Sequence, residues 1–112
     1  MLARRFRISR KTFKQFGRPE KRAENDFFKA VCFVHPILNE VGLSAIVAKK
    51  TAKSSPLRHR LKRLTYAMAE PYILKIKRGK AILIYPKVSL KEVPFLIGQQ
   101  RILEIFKALD ML

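Results

Sequence analysis

The 112-residue sequence predicts a small domain of the α+β or α/β class, in which helices pack against a small sheet. Segments rich in aromatic and β-branched residues alternate along the chain with segments whose apolar residues recur at helical spacing. Hydrophobic residues make up 48% of the chain and aromatic residues 10%, which is enough to form a core. The length suits one core only, so we predict a single domain over residues 1–112.

The first half of the chain predicts a short helix and two strands. Residues 10–16 place Phe13 and Phe16 on one face of a helix, which the following Gly-Arg-Pro ends. Residues 26–35 and 42–49 are rich in aromatic, β-branched and other apolar types, as strands are. Because the link between these two strands is short, an antiparallel pair is the simplest arrangement.

The second half predicts a long basic helix, a strand and a last helix. Ser54-Ser55-Pro56 is a favourable start, since a serine can cap the helix and proline suits its first position. The helix is expected from about residue 56 to 70, and Pro71 should end or kink it. The later elements are further helix over 72–77, a strand over 80–85 and a helix from 93 or 94 to 111.

Positive charge is concentrated in two blocks. The chain has 25 Lys and Arg against 8 Asp and Glu, a formal net charge of +17. Most of the basic residues lie in residues 1–22 and in residues 49–63, and the second block contains no acid. Ordinary soluble surfaces intersperse acids among bases, so this pattern indicates a polyanionic partner. The small size argues against a core that encloses a small-molecule substrate.

Few residues are suited to metal binding, covalent catalysis or membrane insertion. The single cysteine, Cys32, excludes an internal disulfide, fits a reducing cytoplasm and is expected in the core. Neither His35 nor His59 has a cysteine or paired acid at ligand spacing. No Ser-His-Asp set is visible, and no segment approaches 18 apolar residues. We therefore assign no catalytic side chain, no metal ligand and no membrane partner.

The segment from Ala48 to Leu64 carries the chemistry. Lys49-Lys50 ends the predicted strand, a loop with lysine and serine follows, and four cations lie within six residues of the helix start, from Arg58 to Arg63. Arginine forks, lysine charges and backbone N–H groups at a helix N-terminus all favour phosphate oxygens. The apolar residues of this helix form one narrow stripe: Leu57, Leu61, Leu64 and Met68.

This segment resembles the protein subunit of bacterial ribonuclease P. In that family a strand ends in Lys-Lys, and a loop leads to a helix with the motif Arg-Asn-Arg-x-Lys-Arg. Here the motif reads Arg58-His59-Arg60-Leu61-Lys62-Arg63, with His59 in place of the asparagine. The N-terminal aromatic helix and the last strand and helix fit the same plan. The resemblance implies an α+β fold with a small mixed sheet, order α-β-β-β-α-β-α, ribosomal protein S5 domain 2-like with a left-handed β-α-β crossover.

The resemblance also implies a function in which no protein side chain is catalytic. In the family, the RNA subunit uses Mg²⁺ to cleave precursor tRNA and release its 5′ leader. The protein binds that RNA and holds the single-stranded leader. The implied partners are ribonuclease P RNA and precursor tRNA, with no protein partner, in the cytoplasm. Contacts with the RNA subunit are expected at Lys49, Lys50, Lys53, Arg58, His59, Arg60, Lys62 and Arg63.

Leader contacts are expected on the N-terminal helix, one strand face and the long helix. Aromatic side chains can stack on unpaired bases. The alternative role of Phe13 and Phe16 is to anchor their helix to the sheet, and both interpretations stay open. Only one face of the first strand can point to the groove, so Phe28 and Phe33 are alternatives. The candidate leader-binding residues are Phe13, Phe16, Phe28, Phe33, Arg10, Lys14 and Tyr66.

Other classes of protein that bind polyanions would carry a similar positive charge. A structural, ribosome-associated RNA-binding protein would bind ribosomal RNA and leave precursor tRNA cleavage unchanged. A DNA-binding protein would differ in competition with duplex DNA at matched salt, since charge alone does not separate the two. Adsorption to a membrane surface is disfavoured because the basic helix has only a narrow apolar stripe.

Overall fold

The computed structural model describes residues 6–37 and 39–112. It is an α+β fold whose element order agrees with the order that the resemblance implied. One strand, β1, corresponds to no segment singled out in the sequence. The elements are α1 (Arg10–Phe13), β1 (Lys21–Glu24), β2 (Phe28–Val34), β3 (Val41–Ala45), α2 (Ser55–Ile73), β4 (Lys80–Pro86) and α3 (Phe95–Ala108).

The four strands form one mixed sheet in the order β1-β2-β4-β3. Strand β2 is antiparallel to β1 and to β4, whereas β3 is parallel to β4. The prediction that β2 and β3 pair with each other was wrong, because β4 lies between them. Residues 81–84 of β4 are buried throughout, as expected of a central strand that lies between two neighbours. Helix α2 therefore connects two parallel neighbours, and the left-handed sense of this crossover stays a prediction.

The start of α2 agrees with the sequence prediction, whereas the ends of α2 and α3 differ from it. The Ser54 side chain accepts a hydrogen bond from the Leu57 N–H at 3.3 Å, as the capping prediction requires. Pro71 lies inside the last turn, and α2 ends two residues later at Ile73, so helix over all of 72–77 was wrong. Helix α3 ends at Ala108, before the predicted Met111.

Helices α2 and α3 cover one face of the sheet and form the core with it. Phe28 and Ile82 from the sheet meet Met68 and Phe106 from the helices, and all four side chains have 0% exposed surface. Gly98 lies directly against Met68, so a side chain at this position would collide with α2. None of the described helices is long and apolar enough to cross a membrane.

The N-terminal segment lies against the opposite face and the β3 edge. Arg7 forms a parallel bridge with Leu43, and a Cβ on Gly42 would meet the Ile8 Cγ1 at 2.8 Å. Phe16 stacks on Phe33 with ring centroids 4.9 Å apart. This face is covered at one end only, which leaves the rest of the sheet surface open.

Asn25 joins the β1–β2 turn to α3. Its Oδ1 accepts hydrogen bonds from the N–H groups of Phe27 and Phe28, and its Nδ2 donates to the Arg101 carbonyl at 2.9 Å. The two bonds to Oδ1 shape the turn, and the bond from Nδ2 holds the β1–β2 hairpin against α3.

We expect Asn25→Asp to destabilise the fold by about 1–3 kcal/mol, because the carboxylate keeps the acceptor but faces the Arg101 carbonyl without a donor. The measurement is the free energy of unfolding in urea at pH 7. The matched control is Asp26→Asn, an exposed neighbour in the same turn, which should change stability by less than about 0.5 kcal/mol. Equal stabilities for the two variants would contradict the role of the Asn25 donor.

Candidate nucleic-acid interface

The predicted RNA-binding cations form one surface, here named the motif surface. It consists of the loop at 46–54 and the first turns of α2. Strand β3 ends at Ala45, so Lys49 and Lys50 lie on this loop and not on a strand end as predicted. Seven of the eight side chains are exposed and Arg58 is half-buried, and none of the eight forms an ion pair within the described residues. They are Lys49, Lys50, Lys53, Arg58, His59, Arg60, Lys62 and Arg63.

Arg58 differs from the other cations of the motif surface. Its Nη1 donates hydrogen bonds to the Ala52 carbonyl at 3.0 Å and to the Lys53 carbonyl at 2.9 Å. The guanidinium therefore ties the loop to the helix, and its remaining N–H groups stay available for other partners. Arg58 therefore positions the loop, and its contact with RNA stays a prediction.

A cleft of about 620 Å³ lies on the sheet face that α2 and α3 leave uncovered; we name it the sheet cleft. Val31 and Phe33 of β2 and Tyr85 of β4 supply its apolar and aromatic surface. Lys50 and Thr51 of the motif loop line it as well, so it adjoins the motif surface. The lining residues are Pro19, Arg22, Glu24, Lys29, Val31, Phe33, Ala48, Lys50, Thr51, Tyr85, Pro86 and Lys87.

The structure decides between the two faces of β2. Phe28 has no exposed surface and lies in the core on the helical side, so it cannot contact a nucleotide as predicted. Phe33 lines the sheet cleft. Phe16 packs on Phe33, while Phe13 stays 46% exposed with its ring 5.6 Å from that of Phe16. Phe16 therefore anchors its helix to the sheet and Phe13 is the more accessible ring, while the leader contacts of both stay predictions.

Tyr66 and Lys14 are not among the residues that line the sheet cleft. The Tyr66 hydroxyl accepts a hydrogen bond from the Ala45 N–H at 3.0 Å, and the Arg7 guanidinium lies 5.6 Å from its ring centroid. Tyr66 thus fastens α2 to the end of β3 and contacts the N-terminal segment. Lys14 is exposed just after α1, whereas the Arg10 side chain lies outside the described part of the chain.

Several cleft residues were missed from the sequence. Lys29 and Tyr85 are cross-strand partners, and Glu24 pairs with Lys29 on the other side, so the three form one row across the sheet. Alternation along β2 placed Lys29 on the same face as Phe33, but only the pairing of β2 with β4 brings Tyr85 beside it. The row puts an aromatic ring next to a cation, an arrangement suited to a base and its phosphate.

The Glu24 carboxylate neutralises part of the positive charge of the sheet cleft. Glu24 accepts a hydrogen bond from Lys87, and that bond, together with the lysine's charge, lowers the pKa of the Glu24 carboxyl. Lys87 is therefore compensated. Arg22, Lys29 and Lys50 form no ion pair within the described residues and are left to attract an anion.

Cys32 is a free cysteine and is buried. Burial raises the pKa of the Cys32 thiol to about 11, and its Sγ lies 3.3 Å from the Met111 sulfur in the core. The thiol thus stays protonated at neutral pH, and Cys32 is a core residue as expected. No group of three His, Cys, Asp or Glu side chains among the described residues could hold a metal ion. The resemblance assigns Mg²⁺ to the RNA subunit, and this stays a prediction.

Comparisons with known proteins agree with this geometry. The structure of the RNase P protein from Thermotoga maritima has 22% identity and a TM-score of 0.68, covering 94% of this chain and 96% of that one. The RNase P protein of Staphylococcus aureus has 18% identity and a TM-score of 0.71, covering 95% and 96%. A mutant of the Staphylococcus protein, described as having defective mRNA degradation activity, has a TM-score of 0.74 at 18% identity, covering 96% and 90%.

At these identities the structural matches establish the fold. A search of curated proteins found no match. The family assignment rests on a family model described as Ribonuclease P, which matches residues 2–110. That match spans the motif surface, the sheet cleft and every element of the sheet. The chain belongs to the ribonuclease P protein family, and is a protein subunit of that ribonucleoprotein, with ribonuclease P RNA as its partner.

Proposed function

We propose that the motif surface binds the ribonuclease P RNA and that the sheet cleft holds the single-stranded 5′ leader of precursor tRNA. The observation that carries this proposal is the shared loop, since Lys50 and Thr51 line the cleft and the rest of the loop belongs to the motif surface. An RNA on the motif surface and a strand in the cleft would therefore lie side by side, as enzyme RNA and substrate must.

The motif surface is suited to phosphates more than to bases. Apart from Arg58 its cations are exposed, and none of them forms an ion pair within the described residues. Neutralising phosphates with such cations releases counterions, which makes binding weaken steeply with salt. His59 is exposed on the same helix and occupies the position where the family has asparagine, so it would meet the same RNA.

The sheet cleft is suited to an unpaired strand. Tyr85 and Phe33 offer rings on which bases can stack, at about 1–3 kcal/mol per base. The side chains of Arg22, Lys29 and Lys50 would lie close to the phosphates of the RNA strand. A duplex would hide the base faces that these rings need.

In this proposal the chain acts by positioning and the RNA subunit carries out cleavage with Mg²⁺, in the cytoplasm. The physical support is that the described side chains include no cluster of metal ligands and that the one cysteine is buried and protonated. The protein would then increase activity by neutralising repulsion between two RNAs and by binding the leader.

The direct test is cleavage of a precursor tRNA by ribonuclease P RNA from the same source at low Mg²⁺, with and without the protein. We expect the protein to increase the rate of 5′ processing and to lower the Mg²⁺ needed. Unchanged processing, with ribosomal RNA bound in its place, would support a structural RNA-binding protein and contradict the proposal.

Removing two motif cations should change the salt dependence of RNA binding. For Lys62→Ala combined with Arg63→Ala, we expect the slope of log K against log salt to become shallower by about 1.5, because two phosphate contacts are lost. The control is Lys75→Ala combined with Arg78→Ala, two exposed cations beyond the far end of the same helix, which should leave the slope unchanged. Equal slopes for both double variants would show that the motif cations face solvent in the complex.

Replacing the cleft tyrosine should weaken leader binding specifically. We expect Tyr85→Ala to reduce the affinity of the holoenzyme for precursor tRNA by about fivefold to a hundredfold, the loss of one stacked base, and to leave mature tRNA binding unaffected. The control is Phe95→Ala, a 43% exposed aromatic on α3 that does not line the cleft. A thermal melt checks that both variants are folded. An equal loss for mature tRNA would argue against leader stacking.

A further inference from the structure

A second concavity lies beside the motif surface, between the N-terminal half of α2 and the loop that joins β4 to α3; we name it the side groove. Its volume is about 420 Å³, within the range of about 300–1,000 Å³ typical of small-molecule sites. Its floor is formed by Leu57, Leu61 and Leu64. The apolar stripe of α2 predicted from the sequence thus begins outside the core, because Leu57 is 49% exposed while Leu61 and Met68 are buried.

The rim of the side groove is basic. Lys53, Arg60 and Lys91 line it together with the leucines, and no carboxylate does. None of the three cations forms an ion pair within the described residues. The leucine floor is suited to a flat, weakly polar group of a ligand. The unpaired cations of the rim are suited to negative charges on either side of that group.

Both walls of the side groove are held in place by the fold. The two hydrogen bonds from Arg58 to the Ala52 and Lys53 carbonyls fix the wall on the motif side. On the other side Leu90 is buried with a φ of 59°, a left-handed conformation that a leucine keeps only when its surroundings hold it there. The groove therefore exists before a ligand arrives, which reduces the entropy lost on binding.

We propose that an unpaired nucleotide of the ribonuclease P RNA inserts its base into the side groove, with flanking phosphates on Lys53, Arg60 and Lys91. This inference rests on the proposed function, since it extends the RNA contact of the motif surface. Arg60 belongs to both the motif surface and the groove rim, and Thr51 separates the groove from the sheet cleft by lining both. An RNA chain bound to the motif surface can therefore place its neighbouring nucleotides at the side groove. An acidic peptide would match the rim as well, but it would have to displace that RNA.

The base must be unpaired, because a paired base keeps its faces inside the helix stack. The three leucines would cover its face, and the Arg60 guanidinium is planar and can stack on or hydrogen-bond to it. The contact would add apolar, salt-independent affinity to an interface whose other contacts are electrostatic.

The test compares Leu57→Asn with wild type in binding to ribonuclease P RNA over a range of salt concentrations. We expect affinity to fall about fivefold to tenfold, the loss of about half a buried leucine, with the salt slope unchanged because no charge is removed. Leu57→Met keeps the apolar contact and should bind as wild type does. Leu96→Asn changes a 69% exposed leucine on α3 outside the groove and should have no effect.

Base-specific chemical probing of the bound RNA provides the second readout. We expect wild type to protect an unpaired base that becomes reactive again with Leu57→Asn but not with Leu57→Met. If Leu57→Asn binds RNA with wild-type affinity and protection, the groove proposal is overturned, and an acidic peptide or another occupant takes its place. If wild-type protein binds no ribonuclease P RNA, the proposed function fails first. A thermal melt of each variant separates loss of contact from loss of fold.

Discussion

The parallel pairing of β3 with β4 is the contact on which the rest of this structure depends. It makes α2 cross from one strand to its neighbour, and it leaves the loop at 46–54 at the sheet edge, between β3 and α2. Because the Tyr66 hydroxyl accepts a hydrogen bond from the Ala45 N–H, the middle of α2 is held beside the end of β3. The motif cations, the sheet cleft and the side groove are all arranged around this one loop.

The distribution of acids explains how a chain with a net charge of +17 acquires one strongly basic surface. The ion pairs within the described residues lie along β1, the C-terminal turn and α3, away from the motif loop. Lysines there are compensated, whereas the motif surface and both concavities keep most of their positive charge. The pairs are Glu20 with Lys80, Glu24 with Lys87, Asp110 with Lys21 and Lys77, and Glu104 with Arg101.

Signals that act over a few residues were readable from the sequence. The Ser54 cap formed as predicted, since it needs only the N–H three residues ahead. Signals that require a distant partner were misread. The antiparallel pairing of β2 with β3 failed because β4, which is far along the chain, supplies a more apolar strand to lie between them. Pro71 stayed inside α2 because a proline in the last turn removes one hydrogen bond, a loss that packing of Ile73 in the core offsets.

By itself the sequence determined the composition of the interface: two basic blocks, the Arg-His-Arg-Leu-Lys-Arg segment on a capped helix, and phenylalanines on a strand and a short helix. These depend on residue identity and local spacing. Only the tertiary structure decided that Phe33 faces the cleft while Phe28 is buried, that Tyr85 joins it, and that Arg58 holds the loop. Strand alternation defines two faces but not which one the helices cover, and that choice is made by the packing of α2 and α3 against Phe28 and its neighbours in the core.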